Sequence, residues 1–289
     1  MASEPSISVL RLTNGVDMIS LHLLPPLWRM SAHQRTFEGK TVIVTGSSRG
    51  VGAEVARDLG RQGANVVVNY VSDASELLAA DVVQAIVAAG SKAIAVQADT
   101  STVPGGQILV DAALEAYGQI DILVLNAAKA AAVPLATMEV ADYDLQFDTN
   151  VKGPLFLVKA AAPYLPRRMF PREAGSFFIS SVWVITPETP STAMLYTASK
   201  GALEQISRLL AKDPDIGGKG ITVNTLALGA VDTDMLRRNA AHILQQLAEK
   251  VPTKRIGEVG DIAPVVAFIA SPAAQWVNAQ TVQVNGGWA

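Results

Sequence analysis

From Thr41 onward the chain alternates short β-branched or apolar runs with longer helical patterns, and this alternation restricts the possible folds more than any other feature. Runs of strand length occur at 41–44, 65–69, 92–97, 121–125, 176–179, 221–226 and 281–284. Helical periodicity fills the gaps near 53–62, 75–89, 104–117, 142–165, 195–212 and 261–270. Gly63, Gly90 and Gly118 follow three of these helices, where a left-handed cap is wanted. Strands that are apolar throughout are buried on both faces, which calls for a parallel sheet with helices on each side. Seven strands without a break in composition predict one doubly wound α/β domain of the Rossmann type. The turn-rich stretch 213–220 reads as a loop, not a linker.

Composition narrows the function classes. Of 289 residues, 49% are hydrophobic and 17% charged, enough for one sizeable core. A net charge of −3 gives no basic face for nucleic acid. The chain has no cysteine, which excludes disulfides, thiolate metal ligands and thiol catalysis. Its three histidines lack zinc-ligand spacing, so no metal site is expected. No stretch reaches the ~18 apolar residues of a membrane span, and residues 16–27 are interrupted by Asp17, His22 and the Pro25–Pro26 pair. Glu4 and Asp17 argue against a basic targeting peptide, and a cytoplasmic location is expected. Residues 1–36 read as a poorly ordered extension before a domain at 37–289, and a start at Met30 would still give a complete domain. The competing reading is an arm packed on a partner subunit.

After the first run comes Thr45-Gly46-Ser47-Ser48-Arg49-Gly50-Val51-Gly52, then a helix. Glycines let the backbone turn tightly against a pyrophosphate, which the free N–H groups and dipole of the helix N-terminus attract. No Gly-Lys-Ser/Thr follows, so this is not a P-loop. Farther on, Tyr196-Thr-Ala-Ser-Lys200 opens a helical segment. Residues i and i+4 share a helix face, so the phenol and ammonium can enter one site. A nearby cation favours phenolate and pulls the tyrosine pKa down from ~10, which suits a reversible proton donor.

The spacing Gly-x-x-x-Gly-x-Gly, the Tyr-x-x-x-Lys pair and their separation resemble the short-chain dehydrogenase/reductase family. The pattern lies nearest to 3-oxoacyl carrier-protein reductases and fungal hydroxynaphthalene reductases. The resemblance runs from about Lys40 to the C-terminus. It implies dinucleotide contacts from Gly46, Ser48, Arg49, Gly50 and Val51. The second strand ends in Asn69-Tyr70 with no carboxylate until Asp73, which removes the acid that would repel a ribose 2′-phosphate. With Arg49 available to pair with that phosphate, the expected cofactor is NADP(H). Asp99 is implied at the adenine. Asn126 opens the turn after the fourth strand, with Ala128 where the family usually has glycine. Val231 and Thr233 are implied at the carboxamide, beyond Leu228, which stands in place of the family's proline.

The same resemblance completes a catalytic set of Asn150, Ser181, Tyr196 and Lys200, in which Asn150 holds a water beside the lysine. Ser180 rivals Ser181, which stands directly before the apolar residue, as the family motif has it. Fifteen residues separate Ser181 from Tyr196, about two more than usual in the family, so residues 186–190 carry an insertion beside the pocket. Residues 234–250 have a helical pattern and sit where the family folds a short lid. Trp183, Met235 and Leu236 are candidate pocket residues, an apolar set suited to an aromatic or alicyclic ketone, or ordinary packing. The implied activity is reduction of a small-molecule ketone, acyl substrates included, to an alcohol in a homo-oligomer, expected to be a tetramer. A noncatalytic NADP-binding regulator and an imine reductase are the alternatives on the same fold.

Overall fold

The computed structural model describes residues 35–167, 176–181 and 184–289, together with Leu10–Arg11 and Asp17–Met18. The chain divides into two units, Met1–Gln34 and Arg35–Ala289. In the first, Leu10–Arg11 pairs antiparallel with Asp17–Met18. The expectation of a poorly ordered extension falls mostly outside the described residues, as does Trp183.

The second unit holds a seven-stranded sheet. Its strands are β1 (Thr41–Val44), β2 (Asn65–Tyr70), β3 (Ala93–Gln97), β4 (Ile122–Leu125), β5 (Ser176–Ser181), β6 (Val223–Leu228) and β7 (Thr281–Val284). Every pairing is parallel and the spatial order is β3-β2-β1-β4-β5-β6-β7. The main helices are α1 (Gly50–Arg61), α2 (Glu76–Ala88), α3 (Val103–Tyr117), α4 (Val140–Phe147), α5 (Gly153–Ala161) and α6 (Met194–Leu210). They are followed by α7 (Asp234–Ala240), α8 (Leu244–Glu249) and α9 (Val259–Ala270).

Alternate strand residues serve opposite layers. Val42, Val44, Val66, Val68 and Val124 pack with α1, α2 and α9, through Leu59, Ile86 and Val266 among others. Ile43, Val67, Leu123, Leu125 and Val223 pack with α3, α5 and α6, through Leu109, Leu157 and Leu203. The three capping glycines do adopt left-handed conformations, with φ of +100° at Gly63, +86° at Gly90 and +74° at Gly118.

The helix expected over 142–165 is present as a continuous helical run, Val140–Tyr164, but not a uniform one. Residues Asp148–Lys152 form a π-helical turn between α4 and α5, and Ala162–Tyr164 finish as a 3₁₀ turn. Pro154 has no N–H to give the Asn150 carbonyl, so one α-helical ladder bond is lost at this point. The turn is also shaped by Gly153, where a methyl group would run into the Thr100 carbonyl oxygen. Gly153→Ala should therefore cost about 1–3 kcal/mol through overpacking. Urea unfolding of wild type and variant checks this, and an unchanged midpoint would show that the turn yields easily.

Candidate active site

The order of strands reverses beside β1, between β1 and β4, and the crevice beyond the strand ends there is where open α/β sheets bind ligands. A cleft of about 880 Å³ occupies this position. Its floor on one side is the glycine loop, where Gly46 has φ +61° and Gly50 has φ +59°. A methyl group on Gly46 would lie 3.0 Å from Ala127 Cα. Helix α3 is capped by Thr102, and α4 and α9 by Glu139 and Glu258. Helix α1 has no side-chain cap and no acid in its first turn, so its N–H groups are left for an anion.

Two asparagines hold the loop in shape. Asn69 is buried, accepts from the Gly46 N–H at 2.9 Å, and donates to the Ala98 and Tyr70 carbonyls at 3.0 and 3.1 Å. Its backbone N–H donates to Ser47 Oγ and its carbonyl accepts from Ser47 N–H, both at 2.9 Å. Asn69 borders the cleft, yet its polar groups are committed to the loop. Asn126 likewise donates to the Thr45 and Gly46 carbonyls at 2.9 and 3.0 Å.

Arg49 reaches outward from the same loop. Its Nη2 donates to Ser75 Oγ at 2.8 Å, and its Nη1 lies 3.6 Å from Asp234 Oδ2. Ser72 Oγ is 3.3 Å from Ser75 Oγ, and Tyr70, Ser72 and Ser75 all line the cleft. Sequence reasoning missed Ser75, although a serine just beyond a strand end that lacks an acid was a usable signal. Asp99 is exposed, and one carboxylate oxygen is taken by the N–H and hydroxyl of Ser101 at 3.0 and 2.7 Å.

At the centre, the structure brings Ser181, Tyr196 and Lys200 onto one wall of the cleft. Ser181 acts on the Tyr196 phenol from the end of β5. Lys200 Nζ lies 5.8 Å from the Tyr196 ring centre, one helical turn along α6. Burial pushes the phenol pKa up, and the Ser181 hydrogen bond partly opposes that. Burial also pushes the Lys200 ammonium down to about 7.

Asn150 stands behind this wall, fully buried in the π-helical turn. Its Oδ1 accepts from Lys129 N–H at 2.8 Å, and its Nδ2 donates to the Lys129 carbonyl and to Ser199 Oγ, each at 2.9 Å. Ser199 in turn donates to the Tyr196 carbonyl at 2.7 Å. The side chain thus fixes the turn after β4 to the first turn of α6.

The far end of the cleft is bounded by Val231 and Thr233 after β6, and by Met235 and Leu236 at the start of the lid. Thr233 Oγ1 accepts from Leu236 N–H at 3.3 Å, capping α7. The lid expected at 234–250 is two helices joined by a 3₁₀ turn at Ala241–Ile243. Glu188, Lys250 and Trp288 also line the cleft, and none of them was singled out from the sequence. Glu188 and Lys250 form an ion pair that holds the carboxyl below its ordinary range, and Lys250 Nζ lies 5.7 Å from the Trp288 ring centre. The insertion at 186–190 was the available clue to Glu188. Among the described residues no acidic, histidine or cysteine cluster is suited to a metal, and no helix is long and apolar enough to cross a membrane.

A family model described as enoyl-(acyl carrier protein) reductase matches residues 46–289. The chain is 35% identical to versicolorin reductase 1 of Dothistroma septosporum, across 89% of this chain and 99% of that one. It is 36% identical to a hydroxynaphthalene reductase-like protein of Metarhizium guizhouense, across 88% and 96%. Among solved structures, a short-chain dehydrogenase from Burkholderia cenocepacia in complex with NADP superposes with a TM-score of 0.78 at 34% identity, covering 88% of this chain and 99% of that one.

The depressed Lys200 pKa has a consequence for the cofactor-free protein. Unfolded lysine titrates near ~10.4, so between about 7 and that value the unfolded chain binds more protons than the folded one. Stability should then rise with pH across this window and stay level below it. Lys200→Met should flatten that rise in urea midpoints measured from pH 6 to 9. A variant retaining the full slope would place the titration on another group.

Proposed function

The chain belongs to the short-chain dehydrogenase/reductase family, and from that premise we propose that it is an NADPH-dependent ketone reductase. One observation carries the reading. Ser181 and Tyr196, with buried Lys200 one helical turn from the tyrosine, open onto the same cleft as the left-handed glycine loop and Arg49. In the family's relatives the cofactor is NADP in the Burkholderia cenocepacia structure and NADPH in a metagenomic blue fluorescent protein.

The residues fit that cofactor. The uncapped N-terminus of α1 receives a pyrophosphate, and Arg49 with Ser75 receives the 2′-phosphate where no carboxylate repels it. Bound NADPH supplies a hydride to the carbonyl carbon. Ser181 holds the carbonyl oxygen by a hydrogen bond, and Tyr196 Oη donates its proton to that oxygen as negative charge develops there. A phenol pKa raised by burial keeps the proton on Tyr196 at neutral pH, which suits the reductive direction. The Lys200 cation, when protonated, stabilises the phenolate left behind. Asn150 acts at one remove, by holding α6 against the turn after β4.

Met235, Leu236, Ile243, Leu247 and Trp288 give the substrate end an apolar lining suited to an aromatic or alicyclic ketone. The exposed apolar side chains Val140, Tyr143 and Leu209 on α4 and α6 support burial against further copies of the chain, as a cytoplasmic homotetramer.

Tyr196→Phe removes the proton donor and little contact area. Turnover of aromatic ketones should fall by ~10²–10⁴-fold with NADPH affinity nearly retained, and wild-type-like turnover would sink the assignment. Arg49→Ala should weaken NADPH binding by about 1.5–3 kcal/mol and leave NADH almost untouched in calorimetric titrations. Equal weakening of both would mean that Arg49 does not read the 2′-phosphate.

A further inference from the structure

The guanidinium that the 2′-phosphate needs is already engaged, and by a residue of the lid. Arg49 Nη2 donates to Ser75 Oγ at 2.8 Å, which fixes the plane of the group, while Nη1 faces Asp234 Oδ2 at 3.6 Å. Asp234 is the first residue of α7, directly after Thr233, the cap of that helix. Both Arg49 and Asp234 line the cleft. Seen from Arg49, the Asp234 carboxylate occupies the place of an anionic ligand. A phosphate and a carboxylate compete for the same face of a guanidinium, since each takes its N–H groups with two oxygens.

We propose that Asp234 is a specificity-determining residue that competes with the cofactor's 2′-phosphate for Arg49, and so lowers the preference for NADPH over NADH. The inference rests on the reading that Arg49 meets that phosphate. NADH brings no group that displaces Asp234, so the pair persists when NADH is bound. NADPH must displace it. The coupling is reciprocal: the state in which Asp234 holds Arg49 binds NADPH less well, and bound NADPH disfavours that state. Release of Asp234 does not unfold the start of the lid, because an acid at a helix N-terminus is still favoured by the dipole. The effect is modest. The two side chains are 43% and 63% exposed, so solvent screens the pair.

The test is a double-mutant cycle on cofactor affinity, read by titration of NADPH and NADH into the full chain without substrate. Asp234→Asn keeps shape and removes charge. It should tighten NADPH by roughly two- to five-fold, the range of an exposed ion pair, and leave NADH unchanged. In the Arg49→Ala background the same substitution should leave NADPH affinity unchanged, because the competition has been removed. An unchanged ratio of NADPH to NADH affinity in Asp234→Asn overturns the proposal. So does a gain that persists without Arg49, since Asp234 would then act on the phosphate directly. Failure of the cofactor reading looks different: Arg49→Ala alone would weaken both cofactors equally.

Discussion

The arrangement of the catalytic wall depends on one buried amide. Asn150 bonds both backbone groups of Lys129 and reaches Ser199 on α6, so the turn after β4, the π-helical turn and the start of α6 are fixed by a single side chain. The buried contact is the one to Ser199, and loss of the amide would also remove the partner of both backbone groups of Lys129. The π-helical turn is what brings Asn150 to that position. Pro154 removes one ladder bond and Gly153 lets the chain pass close to Thr100. A local defect in the ladder thus sets the relation between two helices, in keeping with the tendency of such turns to mark functional sites.

The same device recurs at the cofactor end. Asn69 and Asn126 each offer an amide donor to backbone carbonyls at the strand ends, and Asn69 also accepts from Gly46. A carboxylate at position 69 could not donate to the Ala98 and Tyr70 carbonyls, so the absence of an acid there has a structural reason besides the cofactor. Arg49, Ser75 and Tyr70, in contrast, face the cleft, with Arg49 bonded to Ser75 rather than to the loop backbone.

These facts explain what was legible in the sequence. The sheet was, because its strands are buried on both faces and their composition records it directly; each expected strand falls within two residues of its observed ends. The loop and the Tyr196–Lys200 pair were, since their chemistry is compressed into a few adjacent residues. The π-helical turn within 142–165 was not read, though Gly153-Pro154 marked it, because apolar periodicity continues through the defect. The double duty of Asn69 was invisible, as its partners Gly46 and Ala98 lie 23 and 29 residues away. Glu188, Lys250 and Trp288 converge only through tertiary folding, and no local pattern joins them.

The two halves of the cleft are therefore built on different physics. The cofactor half is shaped by buried amides whose hydrogen bonds are satisfied within the fold, so its geometry is set before any ligand arrives. The substrate half is bounded by a lid held at its two ends by exposed ion pairs, Arg49–Asp234 and Glu188–Lys250. Such pairs contribute at most about 1 kcal/mol each, and the segment between them is anchored by buried Leu247. That is why the loop and the Tyr196–Lys200 pair can be read from a few adjacent residues, while the far end of the cleft, where Glu188, Lys250 and Trp288 meet, is assembled only by tertiary folding.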